Sequence, residues 1–385
     1  MINRSRLISL TQKLIGIDSQ NPGGDEFLIA RFISAYLKKL GLKAKIYEFK
    51  KRRSNVVAVL EGKNKRHSLL VTPHLDTVPA GNNWGIPPFS GRVYKGRIFG
   101  LGATDCKGNL AVALEAINSI VEDGVMLGYN LVFAATADEE TGSHLGLLPL
   151  LDKNILKVNA ALVLDAENFN IVVAQKGLIH IKVKIVGKRA HGAYPWRGVN
   201  AIGIAVDILK EIKTHKFNYI KNPYLKPPTV NIGTIKGGDK VNIVPDWCEF
   251  ELDFRFLPGN RAEEILKYLK GIIRKYARRF KIEIEGIQQP YAIDKHHMLV
   301  DCLTRAGQKL GIKTYIRGSE GATTITFFQN KNIPAVATGF GAEGCAHIIN
   351  EYAKVDDLYK GALMLEEFFK SYKFIPGRHR NAALD

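Results

Sequence analysis

The sequence has no apolar run approaching the roughly 20 consecutive residues that a bilayer-spanning helix needs. Its opening stretch, MINRSRLISLTQKLIG, also lacks the continuous apolar block of a signal peptide. Leu7, Leu10 and Leu14 instead recur at helical spacing among polar residues, which predicts a surface helix and, by default, a cytoplasmic protein. Cysteine is scarce. Cys106, Cys248, Cys302 and Cys345 stand far apart with no CxxC pair, which argues against a disulfide framework and a thiolate zinc site. Zinc-finger spacing, an RNP motif and a glycine-rich phosphate loop are missing too. The net charge of +18, carried by lysines spread over 385 residues with only short clusters such as KKRR (50–53), therefore reads as a solvated basic surface. No nucleic-acid or membrane partner is expected. There is no internal repeat and no low-complexity linker.

What the chain does have is a change of pattern, made twice. Between about residues 54 and 165, short apolar runs alternate with helical stretches: NVVAVLEG, HSLLVTPHLD, a helix over about 107–122, NLVFAATADEE and AALVLDAE. Unbroken apolar runs of this kind are the central strands of a covered α/β sheet. From about 177 the pattern becomes strict alternation. In GLIHIKVKIV, Ile179, Ile181, Val183 and Ile185 share one face while His180, Lys182 and Lys184 share the wet one. A helix at about 199–215, carrying Ile202, Val206, Leu209 and Ile212, leads to the alternating runs TVNIGTI and EFELDFRF. A helix at about 261–279 and the run KIEIEG close the unit. The order β-α-β-β-α-β is ferredoxin-like. The predicted fold is therefore an α/β main domain, residues 1–176 and 288–385, interrupted by a ferredoxin-like insert at 177–287.

Acids and histidines gather at strand ends. HSLLVTP runs into His74 and Asp76, Asp105 precedes the helix at 107, and NLVFAATA runs into the triple acid Asp138, Glu139 and Glu140. AALVL reaches Asp165, and AVATGFGAEGCAH reaches His347. In open α/β sheets the carboxyl ends of the strands border the ligand crevice. Imidazole and carboxylate donors without thiolates suit zinc, manganese or cobalt. Two histidines and three carboxylates exceed the needs of one tetrahedral ion but serve two if one carboxylate bridges. On this reading the acids of the triple face metal, which makes their mutual repulsion tolerable. His67, His144, His215, His296, His297 and His379 fit no motif and are expected at the surface.

The segments PHLDTVPAG (73–81), GRIFGLGATDCKGN (96–109), ADEETGS (137–143) and AHIINEY (346–352) resemble, in order, the motifs of one metallohydrolase family. It contains acetylornithine deacetylases and succinyl-diaminopimelate desuccinylases together with aminoacylases, glutamate carboxypeptidases and dipeptidases. QKG (175–177), GKRAHGAYPWRGVNAI (187–202) and GGDKVNIVPDWCEFELDFRFLPG (237–259) resemble the motifs of its inserted domain. The resemblance implies a zinc-peptidase-like catalytic domain with a ferredoxin-like lid and dimerisation domain. It implies that His74 and Asp165 hold one divalent ion and Glu140 and His347 another, with Asp105 bridging, zinc being the expected metal and cobalt or manganese also suited. Asp76 would fix His74 through its distal ring nitrogen, and Glu139 would be the general base. His191 would reach across a homodimer interface to the oxyanion, while Arg255 and Asn242 would hold a substrate carboxylate. The Asp105–Cys106 peptide bond is expected to be cis.

Two features depart from the deacetylase-like branch. Asp165 stands where a glutamate is usual there, an aspartate being more typical of aminopeptidase and dipeptidase branches, with Glu167 two residues on as the alternative ligand. RGSEGATTITFF (317–328) lacks the usual aspartate pattern. The expected activity is hydrolysis of the amide bond of an N-acyl amino acid. The alternative is a metallopeptidase cleaving dipeptides or a C-terminal residue, and a third reading is a metal-binding relic acting as an interaction module.

Overall fold

A computed structural model describes residues 1–374. Along the chain come α1 (Arg4–Ile15), α2 (Phe27–Lys39), β1 (Lys45–Lys50), β2 (Arg53–Leu60), β3 (Ser68–Thr72), α3 (Lys107–Glu122), β4 (Asn130–Ala135), β5 (Ala160–Val163) and β6 (Asn170–Gln175). There follow β7 (Gly177–Val186), α4 (Ala201–Thr214), β8 (Thr229–Gly237), β9 (Trp247–Phe256), α5 (Ala262–Tyr276) and β10 (Phe280–Gln288). Last come α6 (Met298–Lys309), β11 (Ala335–Thr338) and α7 (Val355–Ser371). The chain divides into two compact units. One comprises Met1–Val173, Ile293–Arg317 and the residues from Thr323 onward; the other comprises Ala174–Ala292 and Gly318–Ala322.

In the first unit the strands run in the order β1-β2-β4-β3-β5-β11-β6. The central four, β4, β3, β5 and β11, are parallel. Every residue of β3, β5 and β11 is buried, as continuous apolar sequence and cover on both faces require. Between two of these strands runs α3, fourteen of whose sixteen residues are buried, so the helix is core on nearly all sides. Because the four strands are parallel, their carboxyl ends, and the loops that leave them, lie along one edge.

The second unit has the strand order β8-β9-β7-β10, all antiparallel, the 4-1-3-2 arrangement of a ferredoxin-like fold read from its opposite edge. Ile179, Ile181, Val183 and Ile185 of β7 pack with Phe250, Leu252, Phe254 and Phe256 of β9 beneath α4 and α5. Two details differ from the periodicity. The buried stripe of α4 is Ala201, Ala205, Ile208, Leu209 and Ile212, whereas Val206 is 53% exposed. Small alanines let the helix approach the sheet, so its contact face is centred on them rather than on the larger side chain. The stretch Gly318–Ala322 also belongs with this unit. There Lys176 donates its backbone N–H to the Ser319 carbonyl, and its buried ammonium lies 2.6 Å from Glu320.

Candidate metal centre and active site

The strand pairing continues past the strand ends into the loops that carry the site. Beyond β3 and β4, His74 and Thr136 form a parallel bridge, and Leu75 donates its N–H to the Thr136 carbonyl at 2.8 Å. The sheet therefore sets His74 beside the loop of the triple acid. Beyond β11, the chain passes tightly over the loop that follows β5. A Cβ at Gly339 would lie 1.6 Å from the Ala166 carbonyl oxygen, so only glycine fits that crossing.

Two donor groups share one aspartate. His74, Asp105 and Asp165 bring one ligand atom each within 4.8 Å of one another, and so do Asp105, Glu140 and His347. The oxygens of Asp105 are divided between them. Oδ1 lies 2.9 Å from His74 Nε2 and Oδ2 lies 3.2 Å from His347 Nε2. His347 Nε2 is also 3.2 Å from Glu140 Oε1, and His74 Nε2 is 3.8 Å from Asp165 Oδ1. The peptide bond Asp105–Cys106 is cis. The buried Cys106 turns its thiol to the Leu164 carbonyl, leaving the donor set purely nitrogen and oxygen. Glu167 accepts the Gly344 N–H with both carboxylate oxygens and takes no part in either group.

The electrostatics are those of crowded acids. Burial, then the charge of Asp105, pushes the Asp165 carboxyl up to about 7. Burial and the charge of Asp165 push Glu139 well above the ordinary range. Hydrogen bonds to Asp105 and Glu140 raise His347 to about 10. Burial opposes protonation of His74, yet its neighbours Cys106, Asp105 and Asp76 hold its pKa well above that of free imidazole. Protons here stand where cations fit: two imidazoles and three carboxylates, one of them facing both ways, match the donor chemistry of two divalent ions.

Three expectations need correction. The distal nitrogen of His74, Nδ1, is held at 2.9 Å by the backbone carbonyl of Asp76, not by its carboxylate, whose nearest oxygen is 3.7 Å away. That carboxylate instead accepts the N–H groups of Glu139 and Glu140 at 3.0 and 3.1 Å. Asp138, first of the triple acid, does not belong to the donor cluster; it pairs with Arg53 at 2.8 Å. And His297 is buried, not exposed, because its Nδ1 caps α6 by accepting the Leu299 N–H. His144 and His296 are exposed, His67 stacks on Phe374 and His215 on Tyr268, while His379 lies outside the described residues.

The remaining sequence candidates lie in the second unit. His191 is exposed, and its Nδ1 accepts the Ala193 N–H at 3.1 Å. Asn242, also exposed, gives its backbone carbonyl to the Gly192 N–H. Arg255 is engaged by Asp253 in a two-pronged pair at 2.7 and 2.9 Å, the neighbour that alternation along β9 puts on the same face.

One contributor went unread. Glu351, the acid of AHIINEY, is buried and accepts the N–H groups of Gly102, Thr104 and Asp105 at 2.8 to 2.9 Å. It ties the loop of the shared aspartate to the loop of His347, four residues upstream. Its only signal was an acid within a motif whose other members are metal donors.

Residues 70–371 match peptidase family M20/M25/M40. The chain is 28% identical over 409 aligned positions to an uncharacterized metallohydrolase of Methanocaldococcus jannaschii, covering 94% of this chain and 98% of that one. It is 26% identical over 371 positions to a succinyl-diaminopimelate desuccinylase of Orientia tsutsugamushi, covering 93% and 94%. Among solved structures it is similar to a tripeptidase from Staphylococcus aureus, with a TM-score of 0.82, 26% identity, and 96% and 98% coverage. With its motifs, fold and donor groups all inside the matched span, the chain belongs to the M20/M25/M40 peptidase family, hydrolases of amide and peptide bonds.

Proposed function

We propose that the chain hydrolyses the amide bond of an N-acyl amino acid, with Glu139 as general base. The observation that carries this reading is the divided carboxylate of Asp105, one oxygen toward each histidine. On it, His74 and Asp165 would hold one divalent cation and Glu140 and His347 a second, with Asp105 shared between them. Zinc is the first choice, with cobalt and manganese suited to the same donors. Bound there, the ions supply Lewis acidity toward the scissile carbonyl and lower the pKa of water toward neutrality.

The chain's own residues handle protons and charge. Glu139 sits beside the donors in a buried position that raises its proton affinity. It takes a proton from the attacking water and delivers it to the leaving amine, so one residue serves as base and then acid. His191, with Nδ1 occupied as an acceptor, carries its proton on Nε2 and offers that N–H to the developing oxyanion of a second copy of the chain. A homodimer follows from that role. Arg255 and Asn242 are assigned to the substrate carboxylate, Arg255 sharing its guanidinium between substrate and Asp253. The four free, buried cysteines suit a reducing, cytoplasmic setting.

A second reading, peptide hydrolysis, is favoured by the short side chain of Asp165 and by the similarity to a tripeptidase. The deciding experiment offers the zinc- or cobalt-loaded protein N-acetyl- and N-succinyl-amino acids beside unblocked di- and tripeptides. Faster turnover of the acylated set is the expected result. Preference for free peptides selects the second reading. Activity on neither set, with two metals bound, overturns both and returns the binding-module reading.

A further inference from the structure

Asp138 is the acid of the triple that the donor cluster leaves unused, and its surroundings give it another role. Its backbone, at φ 65°, turns it away from Glu139 and Glu140. Its Oδ1 meets Arg53 Nη2 at 2.8 Å, and the same guanidinium holds both oxygens of Glu26 at 2.7 and 2.8 Å. The side chains of Arg53, Glu26 and Asp138 are 11%, 0% and 6% exposed, so this is a desolvated ion triplet whose members depend on one another. From Asp138 the contacts run on to the site. The Thr141 hydroxyl donates to Asp138 Oδ1, and the Asn21 amide donates to Thr141 Oγ1 and to Asp76 Oδ2, both at 2.9 Å. Asp76 in turn receives the N–H groups of Glu139 and Glu140. On the far side, Asp138 Oδ2 accepts the Leu145 N–H at 3.0 Å. The one-turn segment Glu139–Thr141 is thus gripped at both ends.

We propose that Arg53, acting through Asp138, is a positioning residue for the Glu139–Glu140 pair. It fixes the left-handed kink from which Glu140 reaches His347 and Glu139 enters the field of Asp165. It also gives the first of three consecutive acids a partner of its own: a guanidinium, shared with Glu26, meets Asp138 outside the donor groups. The inference rests on the proposed roles of Glu139 and Glu140, and the test separates the two.

The test uses cobalt-loaded full-length protein and three readouts: cobalt stoichiometry, the visible absorption band, and kcat and KM on the substrate found above. The variants are Arg53→Met, Arg53→Lys, Asp138→Asn and Thr141→Val, with Glu140→Ala as the reference. A shifted band and a kcat lowered about 10- to 100-fold with little change in KM are expected for Arg53→Met, the range usual for residues that orient metal ligands. Arg53→Lys, which keeps the charge but not the fork, should recover part of both. Variants that only lower the melting temperature, with band and kcat intact in the folded protein, overturn the proposal. If Arg53→Met does not fold, Thr141→Val and Asp138→Asn decide by the same criteria. If Glu140→Ala itself leaves band and stoichiometry unchanged, the ligand reading has failed and the positioning role falls with it. If Glu140→Ala changes both and the Asp138 and Thr141 variants change neither, the positioning role alone is refuted.

Discussion

Glu351 accepts three backbone N–H groups from the loop that carries Asp105. Glu351→Gln would turn an amide donor toward those N–H groups, an unmet buried contact that costs about 1–3 kcal/mol. Zinc affinity, measured by chelator competition, should fall about 10- to 100-fold, as it does when a ligand's supporting contact is lost. Unchanged affinity would mean that the loop holds its shape without Glu351. A different outcome is expected at Glu139. On the proposed roles, Glu139→Gln would remove a base without removing a ligand, so metal content should match that of the unaltered protein while kcat drops by about 10²–10⁴. Loss of one equivalent of metal instead would exchange the roles of ligand and base.

At the level of elements, α4 offers a direct contrast. Leu209 is 8% exposed beneath the helix and Val206, three residues earlier, is 53% exposed above it. Leu209→Ala should cost about 2–5 kcal/mol through lost burial and the cavity left behind. Val206→Ser should stay within about 0.5 kcal/mol, as surface changes do. Urea unfolding of the two variants, followed by the change in midpoint, tests this. Equal effects would show Val206 covered in solution by something other than this chain's own core. Similar logic holds for the parallel strands: their burial on both faces leaves the loops at their carboxyl ends as the part free to carry chemistry.

Across the whole molecule, the site leaves a signature in pH. Folding raises Asp165 from 3.8 to about 7, Glu351 from 4.5 to about 7, and His347 from 6.5 to about 10. For each group the metal-free folded state binds protons more tightly than the unfolded chain. Stability from these groups is therefore full below the lower value and is lost as pH rises through the higher one. The depressed carboxyls of Asp76 and Asp105 work in the opposite sense, but only at more acid pH. The melting temperature of metal-free protein should fall as pH rises from about 5 to 9. Metal binding requires deprotonated ligands, so the gain in melting temperature on adding zinc should grow over the same interval. Calorimetry at several pH values checks both slopes, and a flat zinc effect would contradict the proposed ligand set.

The strand runs, the ferredoxin-like order and the gathering of acids and histidines at strand ends were legible in the sequence because periodicity and parallel strand ends are local properties with a fixed geometric consequence. The choice of His74, Asp105, Glu140, Asp165 and His347 among them came from the family resemblance. What only tertiary structure decided is which partner each charge meets. Asp138 and Glu139 are adjacent and chemically alike, yet one faces Arg53, 85 residues away, and the other faces the donors. Glu351 reads as one more acid until the fold sets three N–H groups of a distant loop around it. His74 takes a backbone carbonyl where the sequence offered a carboxylate. The physical reason is common to all three. A charge leaving water is stabilised by whichever group the chain path brings within hydrogen-bond reach, and that path is set by packing far from the residue itself.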